Sequence, residues 1–333
     1  MRIRLAFCVL AVVLVGITAC SPQSPDCFQE EVFCVGLVTD TRGLNDFGIN
    51  RDTWAGLQQS HADGVIDQVA YIESVNSKDY EKNIAFFVDS GYDVIVTSGI
   101  GLREATLHNV DLYPDTVFVG MNQSADESKS NFIPVTFPED QMGFMAGVLA
   151  ARLTKLRTIG AVCETSGIDS MQRYCEGFRA GAKYADNSVK AIIVYRDNGS
   201  SSKLFIDDEW GYETAQELAS NGVDVIFAAG GETAVGALRA AGEAKIHSIG
   251  TERDQVAALG SGGSSVVTSF FGQSSSTVRE LMHALRDGKR SGAVTGPIMH
   301  TPLTDIVSSS TQLELEELAN KLENGEIKTN TAP

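Results

Sequence analysis

The sequence is poor in basic side chains, with 26 Lys and Arg against 43 Asp and Glu and a net charge of −17. A surface of this sign is repelled by the phosphates of nucleic acids and by anionic membranes. The charge therefore argues against both as partners, but not against a small neutral ligand. The five His are scattered and no CxxC or Cys/His spacing occurs, so the sequence indicates no metal site and no cofactor.

The sequence also lacks the motifs that identify common enzyme classes. Glycines at 99–101 and at 230–231 follow strand-like runs, but neither set completes a GxGxxG or P-loop pattern. Ser98 lacks the GxSxG frame of a hydrolase. The acids at 207–208 and 252–254 are more simply solvated surface or hydrogen-bond acceptors than an acid/base pair. We therefore expect no catalytic residues and no enzyme activity.

One apolar run stands out, and it lies at the N-terminus. Residues Leu5 to Val15 are all apolar, follow Arg2 and Arg4, and precede small residues, which is the pattern of a secretory signal peptide. A permanent membrane span needs about 20 apolar residues. We predict that residues 1–19 are removed, which leaves 24 basic against 43 acidic side chains and a net charge of −19.

The cleavage region Ile17-Thr18-Ala19-Cys20 resembles the bacterial lipobox, in which the cysteine becomes the acylated first residue. On this hypothesis Cys20 anchors an exported protein to the bacterial cell membrane, facing the periplasm or the exterior, without spanning it. Residues 20–31, which include SPQSPD, would then form a flexible tether. The alternative is an ordinary signal peptide with an incidental cysteine, since small residues precede the cut in both cases.

Four cysteines follow the proposed acylation site, and they permit three pairings. Proximity in the chain favours Cys27 with Cys34 and Cys163 with Cys175, and an exported protein tolerates disulfides. Cys34 and Cys163 also lie inside strand-like runs, where a cysteine is often just a small buried apolar residue. The sequence leaves both possibilities open.

From residue 32 onward, short β-branched runs alternate with helical patterns, which is typical of βαβ units in a parallel sheet covered on both faces. The pattern starts again at 157, and the chain exceeds the size of a single core, so two α/β lobes are expected. A helix at 138–153, with Pro138 in its first turn, opens the second lobe. The predicted strands are 33–38, 68–73, 93–98, 116–121, 131–137, 157–163, 190–195, 224–229, 245–250 and 265–271.

The C-terminal region is predicted to form one amphipathic helix from about Leu313 to Leu322. Asn324 and Gly325 follow it, and the glycine serves as a C-cap. The serine-rich stretch 306–311 before the helix is predicted to be a connection.

Several motifs carry a resemblance to a known family: GLVTDTRGLNDFGINRDTWAGL at 36–57, FPEDQMGFMAGVLAARLTKLRTIGAV at 137–162, YCEGFRAGAKYA at 174–185, DVIFAAGGETAVG at 224–236 and IGTERDQ at 249–255. They resemble the basic membrane protein, or PnrA-like, family of substrate-binding lipoproteins of ABC importers. The resemblance implies a type I periplasmic-binding-protein fold, in which two Rossmann-like lobes joined by three crossings enclose a ligand cleft. The first lobe is then 32–136 plus about 270–295, and the second is 137–269 plus about 296–333.

The resemblance also implies a function. A monomer captures one small molecule by lobe closure and delivers it to an ABC permease and its ATPase. Family members include purine nucleoside receptors and a riboflavin receptor, so a small ring-containing nutrient of either kind is expected. The alternative is a sensory or surface-interaction lipoprotein that retains the fold without transport.

Ligands of open α/β sheets bind outside the carboxyl ends of the strands, so the turns after five of the predicted strands are candidate cleft segments. The polar side chains after the first strand suit hydrogen bonds to a ligand, although Asn45 or Asp46 could instead cap the following helix. The candidate ligand-binding residues are Asp40, Asn45, Asp46, Phe47, Asn50, Ser98, Asn122, Phe205, Gly230, Glu252 and Asp254.

The resemblance assigns two aromatic residues, one on each lobe, to stack on a ligand ring. Phe205 matches the position on the second lobe, but Ile49 stands at the position on the first lobe, which makes Phe47 the substitute candidate. Asn122 and Glu252 stand where nucleoside receptors of the family carry Asp. Gly272 stands where they carry Lys. These exchanges alter charge, length and hydrogen-bonding capacity, so they widen the expected ligand beyond nucleosides.

Overall fold

The computed structural model describes residues 25–289 and 292–331. The predicted signal peptide and Cys20 lie outside these residues. The described chain forms two lobes, each built on a six-stranded sheet. The expected α/β fold with two parallel-sheet lobes is therefore confirmed.

The first lobe contains a sheet of six parallel strands. They are β1 (Cys34–Thr39), β2 (Gln68–Glu73), β3 (Val94–Ser98), β4 (Val117–Met121), β5 (Phe132–Thr136) and β11 (Val294–Thr295). Their order across the sheet is β11-β5-β4-β3-β1-β2. β1, β3 and β4 are buried at every residue, because helices cover both faces of the parallel sheet.

The second lobe repeats this arrangement with one antiparallel edge. Its strands are β6 (Thr158–Cys163), β7 (Lys190–Tyr195), β8 (Val225–Ala229), β9 (His247–Thr251), β10 (Val266–Gly272) and β12 (Ile298–His300). The order is β12-β10-β9-β8-β6-β7, and only β12 runs antiparallel to its neighbour. All of the predicted strands are present with ends within two residues of those expected, whereas the short β11 and β12 were not predicted.

Helices cover both faces of each sheet. They are α1 (Ile49–Ala62), α2 (Tyr80–Asp89), α3 (Arg103–Leu112), α4 (Glu139–Leu153), α5 (Asp169–Ala185), α6 (Asp208–Ser220), α7 (Gly231–Glu243), α8 (Gln255–Leu259), α9 (Ser274–Arg286) and α10 (Ser309–Glu323). In the first lobe α1 packs with α9 and α2 packs with α3. In the second lobe α4 packs with α5 and α10, and α6 packs with α7. Within the described part of the chain, no helix is long and apolar enough to cross a membrane.

The chain passes between the lobes three times: from β5 to α4, from β10 to α9 and from β11 to β12. Two backbone hydrogen bonds join these crossing segments. The N–H of Gly296 donates to the carbonyl of Thr136 at 2.9 Å, and the N–H of Gln273 donates to that of Pro297 at 3.0 Å. The three segments therefore form one connected hinge beside the cleft.

Helices α4 and α5 approach each other closely because glycines lie at their contact. A Cβ at Gly143 would lie 2.0 Å from the carbonyl oxygen of Tyr174, and one at Gly177 would lie 2.2 Å from that of Asp140. Only glycine permits such an approach of two backbones. The contact holds α4 and α5 side by side.

Two disulfides are present, Cys27–Cys34 and Cys163–Cys175, with Cα atoms 5.7 Å and 6.5 Å apart. These are the pairings that proximity favoured. Cys34 and Cys163 are also fully buried inside their strands, as the alternative interpretation expected, but both are disulfide-bonded and not free thiols. The first disulfide ties Cys27, inside the predicted tether, to the start of β1. The second ties α5 to the end of β6.

The C-terminal helix α10 is longer than predicted. It begins at Ser309, so the prediction that residues 306–311 form a connection is wrong from that residue onward. Ser308 caps the helix, since its Oγ accepts the N–H of Thr311 at 3.2 Å and satisfies an otherwise free amide. The helix ends before Asn324 and Gly325, where the glycine adopts a φ of +77°, as expected of a C-cap.

Candidate functional site

A cavity lies between the lobes, at the carboxyl ends of the strands. Its enclosed part measures about 40 Å³ and adjoins a wider space of about 820 Å³ that opens to solvent. Both parts are bordered by Asn122, Phe137 and Ser170. The lining of the enclosed part comprises Arg42, Ile49, Asn122, Phe137, Glu139, Ser170, Met171, Tyr174, Glu252 and Gly272.

Two of the candidate ligand-binding residues line this cavity. Asn122 follows β4 in the first lobe, and Glu252 follows β9 in the second. The side-chain amide of Asn122 has no hydrogen-bond partner among the described residues, so it is available to a ligand. Because the two residues belong to opposite lobes, a ligand between them contacts both.

Four of the candidates share an uncommon backbone conformation. Phe47, Asn122, Phe205 and Glu252 have φ angles of 52°, 57°, 63° and 66°. Side chains other than glycine rarely adopt this left-handed region, and such strain concentrates at ligand-binding sites. Two of the four residues belong to each lobe, and Asn122 and Glu252 among them line the cavity.

The loop after β1 is organised by carboxylates. Asp46 accepts the backbone N–H groups of Gly48 at 2.9 Å, Asn50 at 3.0 Å and Arg51 at 3.2 Å, so it caps the start of α1. This is the alternative role that the sequence left open for Asp46. Asn50 is fully buried and donates to Asp40 at 2.8 Å. These side chains shape the loop and do not line the cavity.

Other candidates also lie near the cavity without lining it. The guanidinium of Arg51 stacks over the ring of Phe47, with 5.1 Å between Cζ of Arg51 and the ring centroid. Ser98 is fully buried at the end of β3, and its hydroxyl has no partner within the described chain. Asp254 caps α8 by accepting a backbone N–H at 3.0 Å, and Asn45 is exposed.

Arg42 lines the cavity, although the sequence patterns did not single it out. Its Nε and Nη2 donate to Oδ2 of Asp40 at 2.9 Å and 2.7 Å. The Arg42 side chain stays 37% exposed, and although partial desolvation opposes its charge, the carboxylates of Asp40, Glu252 and Asp46 raise the pKa of the guanidinium above its ordinary value. Arg42 is therefore a permanent positive charge that faces Glu252 across the cleft.

The side-chain carboxylate of Glu252 lies at the N-terminus of α7. Its Oε2 accepts the N–H of Gly230 at 3.0 Å and that of Gly231 at 2.8 Å. A carboxylate at this position is stabilised by the positive end of the helix dipole. Its other oxygen, Oε1, has no partner in the described part of the chain and can accept a hydrogen bond from a ligand. Gly230 thus contributes to the site by holding Glu252.

Phe205 is held by a buried ionic network. Its N–H donates to Glu164 at 3.0 Å, and its carbonyl accepts the N–H of Glu232 at 2.8 Å. Arg196 donates to Glu164 and to Asp207, each at 3.0 Å, and both Arg196 and Glu164 are at most 2% exposed. The network fixes the backbone of Phe205 next to Gly231, which binds the cavity residue Glu252, while the Phe205 ring remains half-buried.

Several cavity residues were missed by the sequence patterns. Phe137 directly follows β5, and Ser170, Met171 and Tyr174 lie in the first two turns of α5, after β6. Both segments follow the carboxyl end of a predicted strand, so the rule that ligands bind there would also have selected them. The missed residues add two aromatic rings, a thioether and two hydroxyls to the cavity lining.

The second-lobe wall contains a buried ion pair. Glu139 is 3% exposed and accepts from Nη2 and Nε of Arg173 at 2.8 Å and 3.1 Å. Burial raises the pKa of Glu139, and Arg173 opposes the rise. Burial, together with Glu139 and Glu252, also raises the pKa of Tyr174 well above its ordinary value. The Tyr174 hydroxyl therefore stays protonated at neutral pH.

The lobes touch each other at the rim of the cleft. Nη1 of Arg253 in the second lobe donates to the carbonyl of Asp46 in the first at 2.7 Å, while Nη2 donates to Glu232 at 2.8 Å. A Cβ at Gly48 would lie 3.1 Å from Cβ of Arg253, so the two loops are in direct contact. The structure thus shows the lobes closed on each other at this rim.

The pH dependence of stability is expected to include a contribution from Asp52, near this rim. Burial, with Asp46 and Asp254 nearby, raises the pKa of Asp52 to about 6. A raised carboxyl pKa stabilises the folded state below the unfolded pKa of about 4, and this contribution is lost as the pH rises through about 6. We expect Asp52→Asn to raise the melting temperature at pH 8 and to leave it unchanged at pH 4. The exposed Asp305→Asn is the control, and an equal shift at both pH values for Asp52→Asn would contradict the assignment.

The sequence matches a known protein family over most of its length. The family described as "ABC transporter substrate-binding protein PnrA-like" matches residues 33–330. The chain belongs to this family. The match confirms the resemblance read from the sequence motifs, and it identifies a family of substrate-binding proteins.

Relatives of this PnrA-like chain occur in several bacteria. A "CD4+ T-cell-stimulating antigen" of Listeria innocua is 28% identical over 72% of this chain and 68% of its own length. The "ABC transporter nucleoside-binding protein BmpA" of Lactococcus lactis is 28% identical over 67% of this chain and 62% of its own length. "Basic membrane protein D" of Borreliella burgdorferi is 28% identical over 72% and 68%. The matched segments thus span about two thirds of the relatives.

Solved structures share the fold of the PnrA-like chain. A solute-binding protein of an ABC transporter system from Aeropyrum pernix has a TM-score of 0.73 at 20% identity and covers 90% of this chain and 94% of its own. A solute-binding protein from Conexibacter woesei has a TM-score of 0.72 at 22% identity and covers 90% and 99%. At these identities the likeness establishes the fold alone.

Proposed function

We propose that this PnrA-like protein is the substrate-binding component of an ABC importer and captures one small ring-containing nutrient between its lobes. The lobes part to admit the ligand, close by hinge motion, and present the closed form to a permease and ATPase complex. The protein acts as a monomer, uses no cofactor, and makes or breaks no bond.

The observation that carries this proposal is the cavity between the lobes, with polar groups converging from both sides. Arg42 supplies donors, Glu252 supplies an acceptor, and Asn122 supplies one of each kind. Small-molecule sites are concave and place a few oriented polar groups within mostly apolar walls. The set suits a ligand that carries both hydroxyls and a hydrogen-bonding ring edge.

Apolar walls favour a flat ring in the ligand. Ile49, Phe137 and Met171 line the cavity, and the half-buried Phe205 lies against Gly231, whose N–H binds the cavity residue Glu252. Aromatic side chains stack well on planar rings and exclude water from them. The relative from Lactococcus lactis named as nucleoside-binding supports a nucleoside, for which we propose a purine, and riboflavin is the second ring compound that we propose.

A second candidate is a sensory or surface-interaction lipoprotein that retains the fold without transport. The enclosed part of the cavity, about 40 Å³, favours it, because small-molecule sites usually measure about 300–1,000 Å³. The relatives in Listeria are named as antigens and not as transporters. The adjoining space of about 820 Å³ favours the first candidate, because it supplies the missing room next to the same residues.

Thermal-shift screening of the chain from Ser21 tests the ligand binding that the first candidate requires. The panel holds purine nucleosides, nucleobases and riboflavin, with ribose and amino acids as controls without a planar ring. A ligand present at about 100 times its Kd stabilises the folded state by about 2.7 kcal/mol, which raises the melting temperature by several degrees. We expect such a shift with a nucleoside or riboflavin. If no compound in the panel produced a shift, the second candidate would be favoured.

We further propose that acylated Cys20 holds the exported protein at the bacterial cell membrane. The lipobox-like residues before Cys20 support this, as does one relative from Pyrococcus horikoshii that is named a lipoprotein. Cys20→Ser in the full chain is expected to move the protein from the membrane fraction to the soluble fraction. The matched control is Ser21→Ala, which should stay with the membrane. Retention of Cys20→Ser in membranes would contradict the anchor.

A further inference from the structure

Phe137 lies where the three crossings between the lobes meet. It belongs to the first crossing, Gly272 ends β10 at the second, and Gly296 belongs to the third. A Cβ at Gly272 would lie 2.1 Å from Cγ and Cδ1 of the Phe137 ring, and one at Gly296 would lie 2.4 Å from Cε1. Neither glycine has a positive φ, so the ring itself, and not the backbone conformation, excludes larger side chains there.

The same ring forms a wall of the cavity. Phe137 borders both the enclosed part and the open part, and only 6% of the residue remains accessible. Phe137 thus borders the cavity and also packs against Gly272 and Gly296, which belong to the second and third crossings. Because Gly272 has no side chain, the cavity there is bordered by the apolar Phe137 ring, and the charged residue of the same crossing, Glu139, is already paired with Arg173.

We propose that Phe137 is the positioning residue through which a bound ligand sets the angle between the lobes. Rotation of the lobes changes the gaps between the crossing segments, and a ring packed against two glycines fits only a narrow range of gaps. Protein interiors are close-packed, so a misfit of a few tenths of an ångström is resisted. A ligand ring that contacts Phe137 therefore favours the closed arrangement. Only this last step rests on the proposed function.

The proposal predicts the chemistry of the ligand at this wall. An apolar ring edge or methyl group packs against Phe137 without loss, whereas a charged group against the ring would lose its hydration without gaining a free partner, because Glu139 is already paired with Arg173. The charged or hydroxylated part of the ligand therefore points away from the hinge, toward Arg42 and Glu252. Phe137 acts in this way as a specificity-determining residue.

The test compares Gly272→Ala, Phe137→Ala and the double variant in the chain from Ser21, without ligand. Small-angle X-ray scattering gives the radius of gyration, and thermal unfolding gives the stability. Gly272→Ala is expected to force the crossings apart, so that the radius of gyration rises and the melting temperature falls. Adding Phe137→Ala removes the clash and should restore both values toward the wild type. Gly262→Ala is the control, because no atom lies nearer than 4.0 Å to its new methyl group.

The outcomes separate this inference from the proposed function. If Gly272→Ala lowered the melting temperature but left the radius of gyration unchanged, Phe137 would be ordinary core packing and the proposal would be overturned. Calorimetric titration with guanosine and with riboflavin then adds the ligand step, with affinity expected to fall at least tenfold in Gly272→Ala and to stay reduced in the double variant, which lacks the ring that contacts the ligand. Equal affinity in wild type and Gly272→Ala would overturn that step. If the wild type bound neither probe, the proposed ligand class would fail while the scattering result would still decide the role of Phe137.

Discussion

Replacing Arg196 with Met is expected to lower the free energy of unfolding by about 3–5 kcal/mol, because removing one partner of a buried ion pair leaves an unpaired charge inside the protein. Arg196 is 2% exposed and donates to Glu164 and Asp207 at 3.0 Å each, and to the carbonyl of Ser200 at 2.8 Å. Methionine retains much of the volume and none of the donors. Urea unfolding of both proteins measures the difference.

The pH dependence of this loss provides a second readout. Burial opposes ionisation of Asp207, but hydrogen bonds from Lys203 and Arg196 outweigh it and lower the pKa of Asp207 below its ordinary value. A lowered carboxyl pKa contributes stability above the unfolded value of about 4, and this contribution disappears as the pH falls. The difference between wild type and Arg196→Met should therefore be largest at neutral pH and should narrow in acid.

A matched control separates burial from ion pairing as such. Arg179 pairs with Glu176 at 2.9 Å, but its side chain is half exposed. Exposed pairs of this kind contribute about 0–1 kcal/mol, so Arg179→Met should change the free energy of unfolding by no more than that. A similar small loss for Arg196→Met would show that the network does not support the second lobe.

Phe205→Ala is expected to weaken ligand binding by a factor of about 5–150 with little change in the fold. Stacking of one ring on an aromatic side chain contributes about 1–3 kcal/mol by alanine substitution, and every 1.4 kcal/mol is a factor of ten in Kd. Phe205 suits this role because its backbone is fixed by Glu164 and Glu232, next to the glycine that binds Glu252, while its ring stays half-buried and free to contact a ligand. Calorimetric titration with the ligand selected by thermal shift gives the Kd of the wild type and the Kd of the variant.

The control for this variant is Phe86→Ala, which removes a ring that is 56% exposed on α2. It should leave Kd unchanged. Circular dichroism and the melting temperature verify that both variants remain folded. If Phe205→Ala bound the ligand within a factor of two of wild type, Phe205 would have no place in the site.

The strands were predictable because each is a β-branched run between turn signals, and those runs are long enough to show a pattern. β11 and β12 have only two and three residues, too few for any periodicity. They form because the third crossing places them beside the edge strands β5 and β10. The start of α10 was missed for a different reason, since a run of serines is common in connections but here supplies the N-cap Ser308.

The site was predictable only in part, because the position of a residue after a strand does not fix the direction of its side chain. Asn122 and Glu252 line the cavity, whereas Ser98 follows the same rule and is fully buried. Asp46 became a helix cap because three backbone amides lie within its reach. Phe137 lies over Gly272 only because two crossings meet in space, and no local pattern in the sequence encodes that meeting.

The binding of one ligand in the cleft between the lobes is tested most directly by calorimetric titration of the chain from Ser21, as wild type and as the Asn122→Ala, Glu252→Ala double variant. These two residues line the cavity from opposite lobes. We predict a stoichiometry near one for a nucleoside or for riboflavin in the wild type, and an affinity at least tenfold weaker in the double variant. Equal affinity in the two proteins, or no binding of any ring compound by the wild type, would contradict a receptor that holds its ligand between these lobes.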